Sequence, residues 1–286
     1  MIILLIIIVI FPLQHVLANS VQEEENTIWL DKLEVDRYSL NYLDHLFIDE
    51  IRLDNLIRTL KDKVHKEPEN AKLNKSGEII PEKLGVTLDI DKFTILFRKT
   101  FYQEDAKGLQ APLMNTYPRI DRALLEEIYE KELGSYVTHF KKSNEERSHN
   151  IYLATKAINN YVIFPGEVFS FNDVVGERTK ERGYKRAPVI VKGELAEDIG
   201  GGICQVSSTL FNAVDLRGIQ IVERYAHSRS VPYVPEGRDA TVSWWGPDFV
   251  FRNMYNQPLL IRANSDNGKM LIQLYTSASA EYFTGK

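Results

Sequence analysis

The single cysteine of this 286-residue chain follows three glycines, in Gly200-Gly201-Gly202-Ile203-Cys204-Gln205-Val206-Ser207-Ser208-Thr209-Leu210. Beyond it Val206, Leu210 and Ala213 recur at helical spacing, which predicts a helix from Cys204 to about Leu216. The thiol then sits at a helix N-terminus, where unpaired N–H groups and a partial positive charge favour the thiolate. Glycines without Cβ let a substrate backbone come close, and N–H groups of such a loop can face a developing oxyanion. Nucleophile, helix start and glycine loop (Gly200, Gly201, Gly202) together suit acyl transfer, with Gln205 and Ser207 of the same run as further binding residues. The competing reading is an inert cysteine buried beside a tight turn, a common fate of free thiols.

A thiol nucleophile needs a base. Of the six histidines, His15 lies in an apolar leader, His45 and His65 in the first half, and His139 and His149 ahead of the body of the second half. His227, in Tyr225-Ala226-His227-Ser228-Arg229, ends the strand expected after the cysteine helix. A helix followed by a returning strand brings the strand end near the helix start, so His227 is the favoured partner of Cys204. The alternative is a strand-end histidine with a local hydrogen bond. A third group should orient the imidazole. Asp239 is the first candidate and Glu223 the second. Arg178 and Arg238 suit a substrate carboxylate, which the guanidinium fork matches, although surface arginines are the commoner case.

Other chemistries lack their motifs. No spaced Gly-Lys-Ser/Thr ending makes the glycine loop a phosphate loop, and no His-Glu-x-x-His zinc helix occurs. The serine-hydrolase elbow Gly-x-Ser-x-Gly is missing too. One cysteine excludes an internal disulfide and a cysteine-rich zinc site, and neither metal nor cofactor is expected. With 44% hydrophobic and 26% charged residues, 16 glycines and 11 prolines, the composition is that of a folded protein and excludes collagen-like and disordered classes. A net charge of −5 supplies no basic field for nucleic acid.

The elements that must position these residues follow from the pattern. Residues 1–18 read as a secretory signal: an apolar run from Met1 to Phe11, then Val16-Leu17-Ala18 with cleavage after Ala18, though without a basic residue before the run. An uncleaved membrane anchor is the alternative; the run is short for a spanning helix. Residues 19–122 are expected to form a small α+β domain. It has helices over Leu53–Val64 and Asp91–Tyr102, short strands at Ala71–Leu73 and Val86–Leu88 on either side of a Lys75-Ser76-Gly77 turn, and an extended Leu109–Tyr117. Asp121–Leu133 reads as a charged helical connector.

Residues 123–286 are expected to form an α+β domain, mostly antiparallel sheet with packed helices. Its helices are Glu146–Tyr161 and the cysteine helix. Its strands are Val168–Asn172, Val189–Val191, Ile219–Ala226, Ala240–Trp244, Phe249–Phe251, Leu259–Arg262 and Met270–Leu274.

An ordered series of motifs over about residues 135–275 resembles the VanW domain. It comprises Phe164-Pro165-Gly166-Glu167-Val168-Phe169-Ser170-Phe171-Asn172, Val175-Gly176-Glu177-Arg178-Thr179, Gly183-Tyr184, the run from Gly200 to Ala213, Glu223-Arg224, His227-Ser228, Val231-Pro232-Tyr233-Val234-Pro235, Gly237 to Val242 and Phe251-Arg252-Asn253. Phe211 stands where that family usually has tyrosine. More weakly, Ile79-Ile80-Pro81-Glu82-Lys83-Leu84-Gly85 with Val86-Thr87-Leu88-Asp89 resembles a peptidoglycan-binding domain that often precedes such domains.

The resemblance implies extracytoplasmic cell-wall chemistry in a Gram-positive bacterium, linked by name to vancomycin resistance. It further implies an L,D-transpeptidase with a catalytic cysteine. Cys204 would attack the carbonyl at position three of a peptidoglycan stem peptide, and a second stem's amine would resolve the thioester. His227 would move the protons. A cysteine peptidase using water, and a non-catalytic wall-binding accessory protein, are the two other classes. No nucleic-acid partner is implied, and membrane contact only through the leader if it stays uncleaved.

Overall fold

The computed structural model describes residues 27–41, 46–191 and 194–282. The expected leader over 1–18, with His15, and His45 lie outside these residues. The chain divides into two compact units, one of residues up to 69 and 83–118, the other of 70–82 and 119–286.

The first unit carries β1 (Trp29–Asp31), α1 (Lys32–Asp36), α2 (Glu50–Val64), β4 (Gly85–Leu88), α3 (Ile90–Tyr102), β5 (Gly108–Gln110) and β6 (Leu113–Thr116). Asp49 and Asp89 cap α2 and α3 by accepting from Arg52 and Lys92 N–H, satisfying donors that a helix start leaves open. Leu53, Leu60 and Val64 of α2 and Phe93, Phe97 and Phe101 of α3 fall on one face of each helix. They form the core with Val35, Leu88 and Leu109. β1 pairs antiparallel with β5, and β4 with β6.

The strands β2 (Lys72–Leu73) and β3 (Ile79–Ile80) belong to the second unit. Asn160 fixes β2 by accepting from Leu73 N–H and donating to Leu73 O, both at 3.0 Å. Arg262 adds bonds to Leu73 O and Asn74 O. The Lys75-Ser76-Gly77 turn therefore closes β2 onto β3, not onto Val86–Leu88 as the sequence pattern suggests. The stretch Ile79–Gly85 is accordingly shared between the units.

The second unit continues with α4 (Arg122–Ile128), β7 (Lys131–His139), α5 (Glu145–Ile158), β8 (Tyr161–Ile163), β9 (Val168–Ser170), α6 (Phe171–Val175), β10 (Arg186–Val191), β11 (Glu194–Ile199), α7 (Ile203–Val214), β12 (Ile219–Glu223), β13 (Val250–Asn253), β14 (Leu259–Asp266) and β15 (Lys269–Thr276). One antiparallel sheet has the order β7-β15-β14-β8, a second β12-β13-β9, and β10-β11 is a hairpin. Helix α7 packs on β7 and β15, and α5 on β14 and on α7. Met270, Ile272 and Leu274 of β15 point inward with Ile151, Ala154, Val206, Leu210 and Phe251, the period-two and period-3.6 faces meeting in one core. The class is α+β with antiparallel sheets.

Three elements depart from the sequence pattern. The helix after Asp121 stops at Ile128, and Lys131 opens a nine-residue strand. That strand is one of the two outer strands of its sheet, where charged side chains are tolerated, so its Lys131 and Glu132 imitate a helix surface. The strand over Val168–Asn172 ends at Ser170, whose Oγ accepts from Asp173 N–H and starts α6. Ala240–Trp244 makes only a single bridge, Thr241 to Tyr225; its hydrogen bonds go largely to α7 instead.

Candidate active site

Cys204 is the second residue of α7, and Gly202 is the cap. Gly202 has φ +105° and provides no side-chain bond to the helix start; Ile203 N–H donates to Gly200 O and Gln205 N–H to Gly202 O instead. The loop is tight on its protein side. A Cβ at Gly201 would lie 2.6 Å from Ala187 O on β10. Gly201 admits the chain's own hairpin at this point, where the sequence pattern suggested substrate.

The serines after Cys204 hold the opposite wall. Ser207 Oγ donates to Ala240 O at 2.6 Å, and Ala240 N–H donates to Ser208 Oγ at 2.9 Å. Ser208 Oγ also donates to Cys204 O at 2.6 Å. This pins residues 239–242 along α7. Arg224, just after β12, donates to Gly237 O and Asp239 O and lies over the Phe211 ring. Helix and returning strand thus bring Asp239, Thr241 and Val242 to the thiol.

His227 sits between Cys204 and Asp239. Asp239 Oδ2 accepts from His227 Nδ1 and from His227 backbone N–H, both at 2.6 Å. With Nδ1 engaged, Nε2 is the ring nitrogen left for the interaction of His227 with Cys204. The sulfur also lies 3.7 Å from Thr241 Oγ1 and 3.5 Å from Val242 O. Glu223, the other residue considered for orienting the ring, accepts from Asp248 N–H.

The electrostatics follow from this packing. Burial pushes the Cys204 thiol up, but hydrogen bonds from His227 and the Val242 backbone outweigh it, and the net shift is downward. Burial pulls His227 down, but its bonds to Cys204 and Asp239 outweigh it, and the net shift is upward. Burial likewise opposes the Asp239 carboxylate, yet the two His227 bonds hold it below its ordinary range. These opposed shifts favour a thiolate–imidazolium pair, the reactive form of a cysteine nucleophile.

Other expected residues are spent within the fold. Gln205 Nε2 donates to Thr138 Oγ1 and His139 O, while its Oε1 accepts from Arg147. Arg238 binds Asn212 and Asp215, about two turns along α7 from Cys204. Arg178, in contrast, stays at the site: its stem lies against Gly200, and its charge acts on Cys204.

Sequence reasoning missed Arg147, Tyr233 and Thr241. Arg147 had a signal, because it heads the buried stripe Ile151, Ala154, Ile158 of α5, a place where arginine is out of pattern. Tyr233 is a half-buried phenol whose ionisation is pushed up by desolvation and by the nearby Cys204.

The family described as VanW like protein matches residues 146–275. The Bacillus subtilis protein YoaR is 56% identical over 230 residues, covering 80% of this chain and 76% of its own length. The vancomycin B-type resistance protein VanW of Enterococcus faecalis is 33% identical over 138 residues, 46% of this chain and 50% of that protein. No solved structure matches the chain. The matched span encloses the glycine loop, Cys204, His227 and Asp239, and this chain belongs to the VanW-like family.

Proposed function

We propose that this protein is a cysteine-dependent acyltransferase of the bacterial cell wall, an L,D-transpeptidase that joins third-position residues of peptidoglycan stem peptides. The observation that carries the reading is the 2.6 Å bond from His227 Nδ1 to Asp239, with His227 drawing the Cys204 thiol downward. Cys204 Sγ attacks the acyl carbon, and a thioester C–S bond replaces the C–N bond. His227 passes its proton to the leaving amine. An incoming amine then forms the new C–N bond, and its proton returns through His227 to the thiolate. The Cys204 main-chain N–H at the start of α7, whose neighbours Ile203 and Gln205 bond within the loop, faces the oxyanion.

The name of the Enterococcus relative supports a role tied to the cell wall and to glycopeptide resistance. We assign the working location to the outer face of the cell envelope, reached through the apolar leader. Among the described residues no helix is long and apolar enough to cross a membrane. The first unit, on the weaker resemblance, would hold the protein on peptidoglycan.

The test is mass spectrometry of purified muropeptides incubated with the native protein and with Cys204→Ala. Dimers crosslinked between third-position residues, formed by the native protein alone, are the expected result. Dimers made equally by Cys204→Ala, or none from either protein, overturn the reading. Shortened monomers in place of dimers make the protein a hydrolase.

A further inference from the structure

Two arginines grip the glycine loop from opposite sides. The Arg147 stem lies where a Cβ on Gly202 would point, 3.0 Å from its Cγ, and the Arg178 stem does the same at Gly200, 3.1 Å from its Cβ and Cγ. Both side chains are half-buried, and both charges act on Cys204. Neither makes an ion pair among the described residues. Arg147 donates to the neutral Gln205 Oε1, and Arg178 Nη2 to the neutral Asn172 Oδ1, each at 2.7 Å. Arg178 Nη1 is buried and has no hydrogen-bond partner among the described residues.

Guanidinium does not lose its proton in proteins, so both charges persist. Asp248 and Arg182 act on Arg178 at longer range with opposite signs. The Asp248 oxygens are already taken by Ser170 Oγ and the N–H groups of Asn172 and Phe249. Cys204 supplies one negative charge as thiolate, but His227 and Asp239 already balance each other and the thiolate is consumed once an acyl group is attached. A planar fork with an unused donor, its charge acting on Cys204, matches a carboxylate.

We propose that Arg147 and Arg178 bind a carboxylate of the acyl donor next to the scissile bond, so that the site selects acidic donors over amidated ones. The inference rests on the acyl-transfer reading of Cys204. Two sources carry this chemistry: the C-terminal carboxylate of the leaving residue, and a side-chain carboxylate on the acyl residue.

Binding separates the inference from the chemistry. A stem tetrapeptide with both carboxylates free, one with an amidated C-terminus and one with an amidated side chain at position three would be titrated by calorimetry into full-length Cys204→Ala. One of the two amidations should weaken binding by about tenfold or more, the loss of a charge-assisted hydrogen bond, and which one does so names the source. Adding Arg178→Gln should remove the discrimination, and Arg178→Lys should restore part of it. Arg147→Gln should do the same where it folds; Arg178 carries the test where it does not. Equal binding of all three peptides, or discrimination that survives Arg178→Gln, overturns the inference. If the arginines serve only the thiolate, Arg178→Gln shifts the pH profile of Cys204 alkylation and leaves peptide selectivity unchanged, which also overturns it. Failure of the native protein to form crosslinks, with acid-selective binding intact, sinks the transpeptidase reading alone.

Discussion

Asp239 holds His227 at two points, through the ring Nδ1 and through the backbone N–H, with one carboxylate oxygen. The side chains of both residues are less than a tenth exposed. A ring bonded only through Nδ1 could still swing about its own stem. Fixing the backbone as well removes that freedom and leaves Nε2 as the ring nitrogen that can act on Cys204, with the tautomer set by the carboxylate.

Asp239→Asn keeps the shape and removes the charge. The amide no longer stabilises an imidazolium, so His227 falls back and the thiolate loses its partner. Alkylation of Cys204 by iodoacetamide at pH 6 should slow by about tenfold or more, since a thiol whose pKa rises by about one holds roughly tenfold less thiolate. An unchanged rate would show that Asp239 only shapes the loop.

The thiolate–imidazolium pair predicts a reactivity profile in pH. Cys204 is shifted down from 9.0 and His227 up from 6.5, so alkylation should persist well below the titration of a free thiol. His227→Ala removes the partner that lowers the Cys204 value while burial remains, and should move the midpoint upward, towards or above that of a free thiol. A native midpoint at the free-thiol value would remove the nucleophile from the proposal.

Much of this site was legible because it is local in chain order. The Gly200–Cys204 run announces a helix start; the expected strand over Ile219–Ala226 stops at Glu223, and His227 lies in the irregular chain beyond it, tied to Asp239. His227 and Asp239 still follow from connectivity. What escaped was set by long-range pairing. Lys131–Leu133, the start of β7, reads as the end of a charged helix until its edge position in the sheet is known. β10 and β11 lie in a stretch of mixed polarity whose hairpin is fixed by mutual pairing and by the close approach of Ala187 to Gly201. The segment 240–244 alternates like a strand, yet α7 serines, not a neighbouring strand, satisfy Ala240. Gln205 and Ser207 sit in a chemically suggestive run, but partners distant in sequence occupy their polar atoms.

Asp239 also couples folding to acid. Its carboxyl sits below its ordinary 3.8 in the folded protein, so the unfolded chain binds the proton more readily. Its stabilising contribution is complete above about pH 4 and is lost as the pH falls through the lowered folded value. His227 runs the other way: its raised value contributes below about pH 6.5 and fades as the pH climbs through the folded value. Thermal unfolding from pH 3 to 8 should show Asp239→Asn losing part of the acid-side slope of the native protein. Identical slopes would contradict the ionised Asp239.

Ser207→Ala should loosen the wall that carries Asp239. It removes the 2.6 Å bond to Ala240 O and leaves that carbonyl with the longer 3.4 Å contact from Ser208. A buried acceptor left poorly paired costs about 1–3 kcal/mol, read as a lower unfolding midpoint. Because Ala240 adjoins Asp239, alkylation of Cys204 should slow as well. A stability loss with unchanged thiol reactivity would detach Ser207 from positioning the histidine.

Glycine replacements separate strain from crowding. Gly166 has φ +77° and nothing within 4 Å of the point where a methyl carbon would stand, so Gly166→Ala adds only backbone strain, of about 1–2 kcal/mol. Gly201 lacks a left-handed φ, but its Cβ would lie 2.6 Å from Ala187 O, a backbone atom that cannot rotate away. Gly201→Ala must therefore push the loop from the hairpin, at about 1–3 kcal/mol by the usual cost of overpacking. The displacement passes into Gly202 and the start of α7, so Gly201→Ala should lower both the unfolding midpoint and the alkylation rate of Cys204, whereas Gly166→Ala should lower the midpoint alone. If Gly201→Ala leaves the thiol as reactive as in the native protein, the contact between β10 and the glycine loop does not set the position of the sulfur.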